Sequence, residues 1–79
     1  MDIPKSCPFR ELANRLKSLS IYWEKGRGKG SHGCFVGPDA NGKIQAYPIP
    51  KSNQKDVCRS YLKGLCQRFG IDTSSFFSD

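Results

Sequence analysis

The chain predicts a two-layer α+β domain in which two helices cover one face of a three-stranded antiparallel sheet, in the order α-β-β-β-α. Three observations predict it. Apolar residues recur at helical spacing near both ends of the 79 residues. Between them lie three short β-prone runs. Glycine, proline and asparagine punctuate those runs, so most connections are tight turns. No internal repeat or low-complexity segment suggests another architecture, and the length permits one core only.

Residues 1–7 read as a short leader. Helix one starts at Pro8, because proline suits the first helical position, where an N–H would go unpaired anyway. Phe9, Leu12, Ala13, Leu16 and Leu19 then form one apolar stripe, and Arg10, Glu11, Asn14, Arg15 and Lys17 take the polar side. Ser18 and Ser20 mark its end.

Ile21 to Glu24 is the first strand, and a glycine-rich loop follows it. Ser31 to Val36 is the second, closed by the turn formers of residues 37–42 with Asn41-Gly42 at the far end, which predicts a hairpin. Lys43 to Ile49 is the third, broken off by Pro48 and Pro50. Ser52 is the expected N-cap of helix two. Val57, Cys58, Tyr61, Leu62, Leu65 and Phe69 form its buried arc, Gly64 weakens it and Gly70 stops it. Residues 72–79 read as a serine-rich tail whose Phe76 and Phe77 are able to fold back onto the core.

The formal charge is +6, from 13 Lys+Arg against 7 Asp+Glu, with a pI near 9.4. The excess is concentrated: from Lys25 to Arg68, the nine cations at 25, 27, 29, 43, 51, 55, 59, 63 and 68 face only Asp39 and Asp56. Such a balance suits nucleic acid, an anionic membrane surface or an acidic protein, and charge alone does not choose among them. The four cysteines form no C-x-x-C pair and, with no signal-like apolar start, read as free thiols of a cytoplasmic protein. No run approaches membrane-spanning length, so no membrane partner is expected.

The densest chemistry lies in Lys25-Gly26-Arg27-Gly28-Lys29-Gly30-Ser31-His32-Gly33, which holds the sole histidine. Glycine permits close backbone approach to a ligand, the cations suit phosphate, and the imidazole titrates near neutrality. The same nine residues also suit a solvated turn that carries one histidine. Lys55, Arg59 and Lys63 recur every fourth residue as a basic ridge, suited to RNA or simply to solvation.

Other chemistries fit poorly. Gly28 to Gly33 matches G-x-G-x-x-G but runs into a strand, whereas a dinucleotide site needs a helix there. No phosphate-binding Gly-Lys-Ser/Thr pattern occurs. Metal ligands usually come in closely spaced pairs, and His32 with the scattered cysteines offers none, so no metal or other cofactor is expected. Ser31 and His32 are adjacent, so in a strand they point to opposite faces and make no nucleophile–base pair.

In this arrangement the chain resembles the HicA family of toxins from prokaryotic toxin–antitoxin pairs. The resemblance covers most of the sequence. Arg10-Glu11-Leu12 with Leu16 is similar to the family's first helix, and Trp23 followed by Lys29-Gly30-Ser31-His32 to its Gly-Ser-His signature. Phe35, Pro38-Asp39 and Gly42 sit where the family has its hairpin, and Leu62, Leu65, Gly70 and Ile71 match its closing helix. The resemblance implies a double-stranded-RNA-binding-domain-like fold and a ribosome-independent mRNA endoribonuclease. It makes His32 the catalytic residue, with Gly30 and Ser31 as motif companions, and a HicB-type antitoxin the partner. Lys25, Arg27, Lys29, Lys55, Arg59 and Lys63 are then the expected RNA-binding or transition-state-supporting cations. The chain departs from the family in two places: its loop is richer in glycine and cations, and it lacks the further histidine that members often carry near the position of Lys51 and Ser52. The alternative readings are a non-catalytic RNA-binding module of the same architecture, which would not need His32, and a basic domain that docks an acidic protein.

Overall fold

The computed structural model describes residues 3–25 and 33–77. Ser6–Pro8 forms β1, Phe9–Lys17 α1, Tyr22–Glu24 β2, Gly33–Pro38 β3 and Ile44–Ile49 β4. A 3-10 turn at Lys51–Asn53 precedes β5 (Asp56–Cys58), which runs straight into α2 (Arg59–Phe69), and α3 (Thr73–Phe76) closes the chain. β2, β3 and β4 make an antiparallel sheet in that order. β1 and β5 pair antiparallel in a separate two-stranded ribbon. The molecule is thus a small α+β protein with the expected sheet and helices, to which the ribbon and α3 are added.

Register fixes the inner face of the sheet. Trp23 stands opposite Phe35, and Phe35 opposite Tyr47, so the three side chains share one side. Both helices pack there. From α1, the Phe9 ring meets Trp23 edge-on at 4.8 Å and stacks on Phe35 at 5.5 Å. From α2, the Tyr61 ring stands 6.3 Å from that of Tyr47. Leu12, Leu16, Ile21, Phe35, Ile49, Val57, Leu62, Leu65 and Phe69 are fully buried in the core between the layers. Each such side chain contributes about 1.5–3 kcal/mol of burial. Two inner-face contacts require glycine. A Cβ on Gly33 would strike the Trp23 indole, with Cε2 at 2.8 Å, and one on Gly64 would strike the Tyr47 hydroxyl, with Cζ at 3.1 Å.

The ribbon joins the starts of the two main helices. Neither Pro8 nor Cys58, the N-cap positions, caps its helix through a side chain. Instead Phe9 N–H donates to the Lys55 carbonyl at 3.0 Å, and Arg59 N–H donates to the Lys5 carbonyl at 2.9 Å. Each helix therefore has its first N–H, which no intrahelical acceptor reaches, satisfied by the opposite arm.

Several sequence expectations are corrected. The leader does not end at Cys7: Ser6–Pro8 is β1, and Cys7 is buried. Helix two does not start after Ser52, which lies in the 3-10 turn; Val57 and Cys58 are extended because pairing with β1 claims their backbone. Cys66 joins the buried arc of α2, whereas Tyr61 is only half-buried. Leu19 leaves the apolar stripe and is 41 % exposed. The reason is the end of α1: Ser20 takes a left-handed conformation (φ 63°), and Ile21 N–H donates back to the Leu16 carbonyl. That turn places Ile21, not Leu19, over the core. Part of the tail is ordered. Asp72 caps α3 by accepting from Ser74 N–H, Arg15 Nη1 donates to the Phe76 carbonyl at 2.7 Å, and Phe76 and Phe77 pack against the core.

The turn formers and Gly70 act as expected. Asp39 Oδ1 accepts from the N–H groups of Asn41 and Lys43, Oδ2 accepts from Gln45 Nε2, and Gly42 takes φ 80°. Gly70, at φ 65°, ends α2, and the β3–β4 turn packs on that end, with Ala40 N–H donating to the Phe69 carbonyl at 3.1 Å.

Candidate nucleic-acid interface

The loop richest in chemistry is anchored at one end of the sheet. Its two stems are Glu24, the last residue of β2, and Gly33, the first of β3. Gly33 stands opposite Ile49 at the end of β4, so Lys25 and Lys51 both lie at this end of the sheet, and both are exposed. Arg27, Lys29, Gly30, Ser31 and His32 lie outside the described residues. The sheet therefore locates the stems of the loop, not the imidazole.

The second group of expected cations is regrouped by the fold. Lys55, Arg59 and Lys63 are all exposed, but Lys55 precedes β5 and only Arg59 and Lys63 are on α2. The four-residue spacing is helical between the latter two alone. Lys55 instead lies beside Phe9, and so beside Arg10 at the start of α1, because its carbonyl accepts from Phe9 N–H. Arg59 is joined by a cation that sequence reasoning missed, Lys5. The Lys5 carbonyl accepts from Arg59 N–H, and Arg59 Nε donates to the Pro4 carbonyl at 3.4 Å. The result is a row of Lys5, Arg59 and Lys63 along the start of α2. No local signal predicts this row, because strand pairing brings Lys5 to Arg59 across more than fifty residues.

A third group borders β4 and α2. Tyr47 and Tyr61 are half-buried, and Arg68 follows Gly64 by one turn. Burial raises the Tyr47 phenol above its usual pKa, with Tyr61 adding to the shift and the Arg68 guanidinium opposing it.

All four cysteines are free. Burial pushes the thiols of Cys7 and Cys66 up to about 11, with Glu11 adding to the effect at Cys7. Cys58, at the start of α2, goes the other way. The Ser60 hydroxyl at 3.2 Å, then backbone N–H groups of that first turn, favour its thiolate. Among the described residues no group of three or more His, Cys, Asp or Glu is arranged to hold a metal ion. Among them, too, no helix is long and apolar enough to cross a membrane.

Compared with known proteins, the chain matches no family model, no curated protein and no solved structure.

Proposed function

We propose that this chain is a HicA-type toxin: a ribosome-independent, metal-independent mRNA endoribonuclease of double-stranded-RNA-binding-domain-like fold, held inactive by a HicB-type antitoxin in the cytoplasm. One observation carries the reading. The sequence Gly30-Ser31-His32 directly precedes the central strand of a three-stranded sheet flanked by two helices, the element order in which the resemblance puts that signature.

In the proposed reaction the RNA 2′-hydroxyl loses its proton and attacks its adjacent phosphate, and the P–O5′ bond breaks. The products are a 2′,3′-cyclic phosphate and a 5′-hydroxyl that has taken up a proton. His32 moves a proton as general base or general acid, a role that typically contributes about 10²–10⁴-fold to rate. Lys25, Arg27, Lys29 and the backbone N–H groups of the glycine loop stabilise the charge that develops on the phosphorus oxygens. Arg59 and Lys63, with Lys5 beside them, bind flanking phosphates. Inhibition then requires a partner whose acidic or apolar surface excludes a polyanion from this site.

A non-catalytic RNA-binding module is the second reading, favoured by the row of Lys5, Arg59 and Lys63, which holds RNA without any need of His32. Induced expression of wild type beside His32→Ala, with total RNA run on a gel, separates the two. The ribonuclease reading expects arrested growth and degraded mRNA from wild type only. Degradation by both proteins moves catalysis away from His32, and degradation by neither favours the binding module. With about four phosphates contacted, log K for single-stranded RNA falls with log salt at a slope near −2.8, and a flat response contradicts both readings.

A further inference from the structure

We propose that Tyr47, Tyr61 and Arg68 form a subsite on the β4–α2 flank that binds a phosphodiester of single-stranded RNA, an inference that rests on the RNA-directed reading above.

The starting observation is a glycine in a place where a helix does not want one. Gly64 lies in the interior of α2, and alanine there would favour the helix. The Cβ that alanine adds would meet the hydroxyl of Tyr47, with Cζ at 3.1 Å and Cε1 at 3.4 Å. The closest approach is to the hydroxyl, so the tip of the phenol is what the glycine admits. Glycine at this position thus seats both the ring edge and the hydroxyl of Tyr47 against α2.

That hydroxyl has no hydrogen-bond partner among the described residues. Neither the Tyr47 nor the Tyr61 hydroxyl hydrogen-bonds to another described residue. Neither hydroxyl is sealed from solvent, so each is free to donate outward. Both rings are half-buried, so each hydroxyl stands at the boundary of the protein where a ligand atom is able to reach it. The rings meet edge-to-face at 6.3 Å and 71°.

The surrounding charge selects an anion. Tyr61, Gly64 and Arg68 follow one another at i, i+3 and i+7 and so line one side of α2. The groups that act electrostatically on Tyr47 are Tyr61, Arg68 and Cys58, with no carboxylate among them. Arg68 is exposed and ion-pairs with no described residue. Two O–H donors and a guanidinium, none of them spent on a protein acceptor, match the oxygens of a phosphodiester. Position favours RNA over an acidic protein. Tyr47 lies two residues along β4 from Ile49, the partner of Gly33, which follows His32 in sequence. Two residues of strand span about 7 Å, so the flank lies close to the sheet end at which the loop is anchored.

The test is binding of a fluorescein-labelled single-stranded RNA 12-mer, with His32→Ala as parent to suppress cleavage. Tyr47→Phe and Arg68→Gln are compared in that background across a salt series. Tyr47→Phe is expected to weaken binding about five- to tenfold while leaving the thermal midpoint unchanged, since it deletes a hydroxyl that no protein group uses. Arg68→Gln is expected to weaken binding and to lower the magnitude of the salt slope by about 0.7, the loss of one phosphate contact. A parent that binds RNA, with both variants within twofold of it, overturns this inference and leaves the RNA-directed reading standing. A parent that binds no RNA overturns both. A lower thermal midpoint for Tyr47→Phe, with affinity unchanged, identifies the hydroxyl as structural and also defeats the proposal.

Discussion

At the scale of single residues, two backbone positions set opposite tensions. Ser20 carries a side chain at φ 63°, where glycine is comfortable and other residues are strained. It holds that angle because Ser20 N–H and Ile21 N–H must return to Lys17 and Leu16 to end α1. Ser20→Gly should therefore raise stability by about 0.5–1 kcal/mol, read from the urea midpoint at constant slope. Gly64 is the reverse case, a glycine whose lost helix propensity is offset by the seat it gives Tyr47. Gly64→Ala should destabilise by about 1–2 kcal/mol as the phenol is forced aside. In a Tyr47→Leu background the same change should stabilise by up to about 1 kcal/mol, because only the propensity remains. A cost of equal size in both backgrounds would show that Tyr47 is not the obstacle.

At the scale of elements, the β3–β4 hairpin depends on one carboxylate. Asp39 accepts from Gln45, Lys43 and Asn41, and these bonds, that of the Gln45 amide foremost, hold its pKa below the usual carboxylate value. A depressed folded pKa means that the stabilisation is complete above the unfolded value and fades as pH falls through the folded one. Asp39→Ala should therefore lower the thermal midpoint by a constant amount above about pH 5, and the gap to wild type should narrow below about pH 4. A gap that widens in acid would contradict this assignment. The hairpin turn also covers the end of α2 through Ala40, so its loss should fray the last turn of that helix first. Hydrogen exchange at Gly70 and Ile71 reads that fraying directly.

At the scale of the whole molecule, the thiols report on the integrity of the core. Cys7, Cys34 and Cys66 are buried, whereas Cys58 stands at the start of α2 with its thiolate favoured. A thiol reagent at about pH 8 should label Cys58 first, with the other three following at the rate of unfolding. Raised folded values at Cys7 and Cys66 have a matching consequence in base. Stabilisation held below the ordinary value of 9.0 is lost as pH rises towards about 11, so the midpoint should fall over that window. Equal labelling of all four thiols in the native protein would contradict this burial pattern.

Locally coded features were legible in the sequence. The apolar spacing of Leu12 and Leu16, and of Leu62, Leu65 and Phe69, specifies two buried helix faces, since those residues meet whenever the backbone is helical. Gly70 as a stop and Asp39 with Gly42 as a turn follow from the same kind of code, a backbone angle or a short-range hydrogen bond that few residue types supply. In the candidate site, the sequence by itself singled out the loop of residues 25–33 and the cations of α2. Tertiary structure decided the ribbon of Ser6–Pro8 with Asp56–Cys58, and with it the start of α2, the burial of Cys7 and the meeting of Lys5 with Arg59. The same holds for Tyr47 against Gly64, where a residue from an edge strand explains a glycine in a helix. The physical reason is range. A three-residue strand carries no periodicity of its own, and its backbone partners lie about fifty residues away in sequence, where no local pattern points to them.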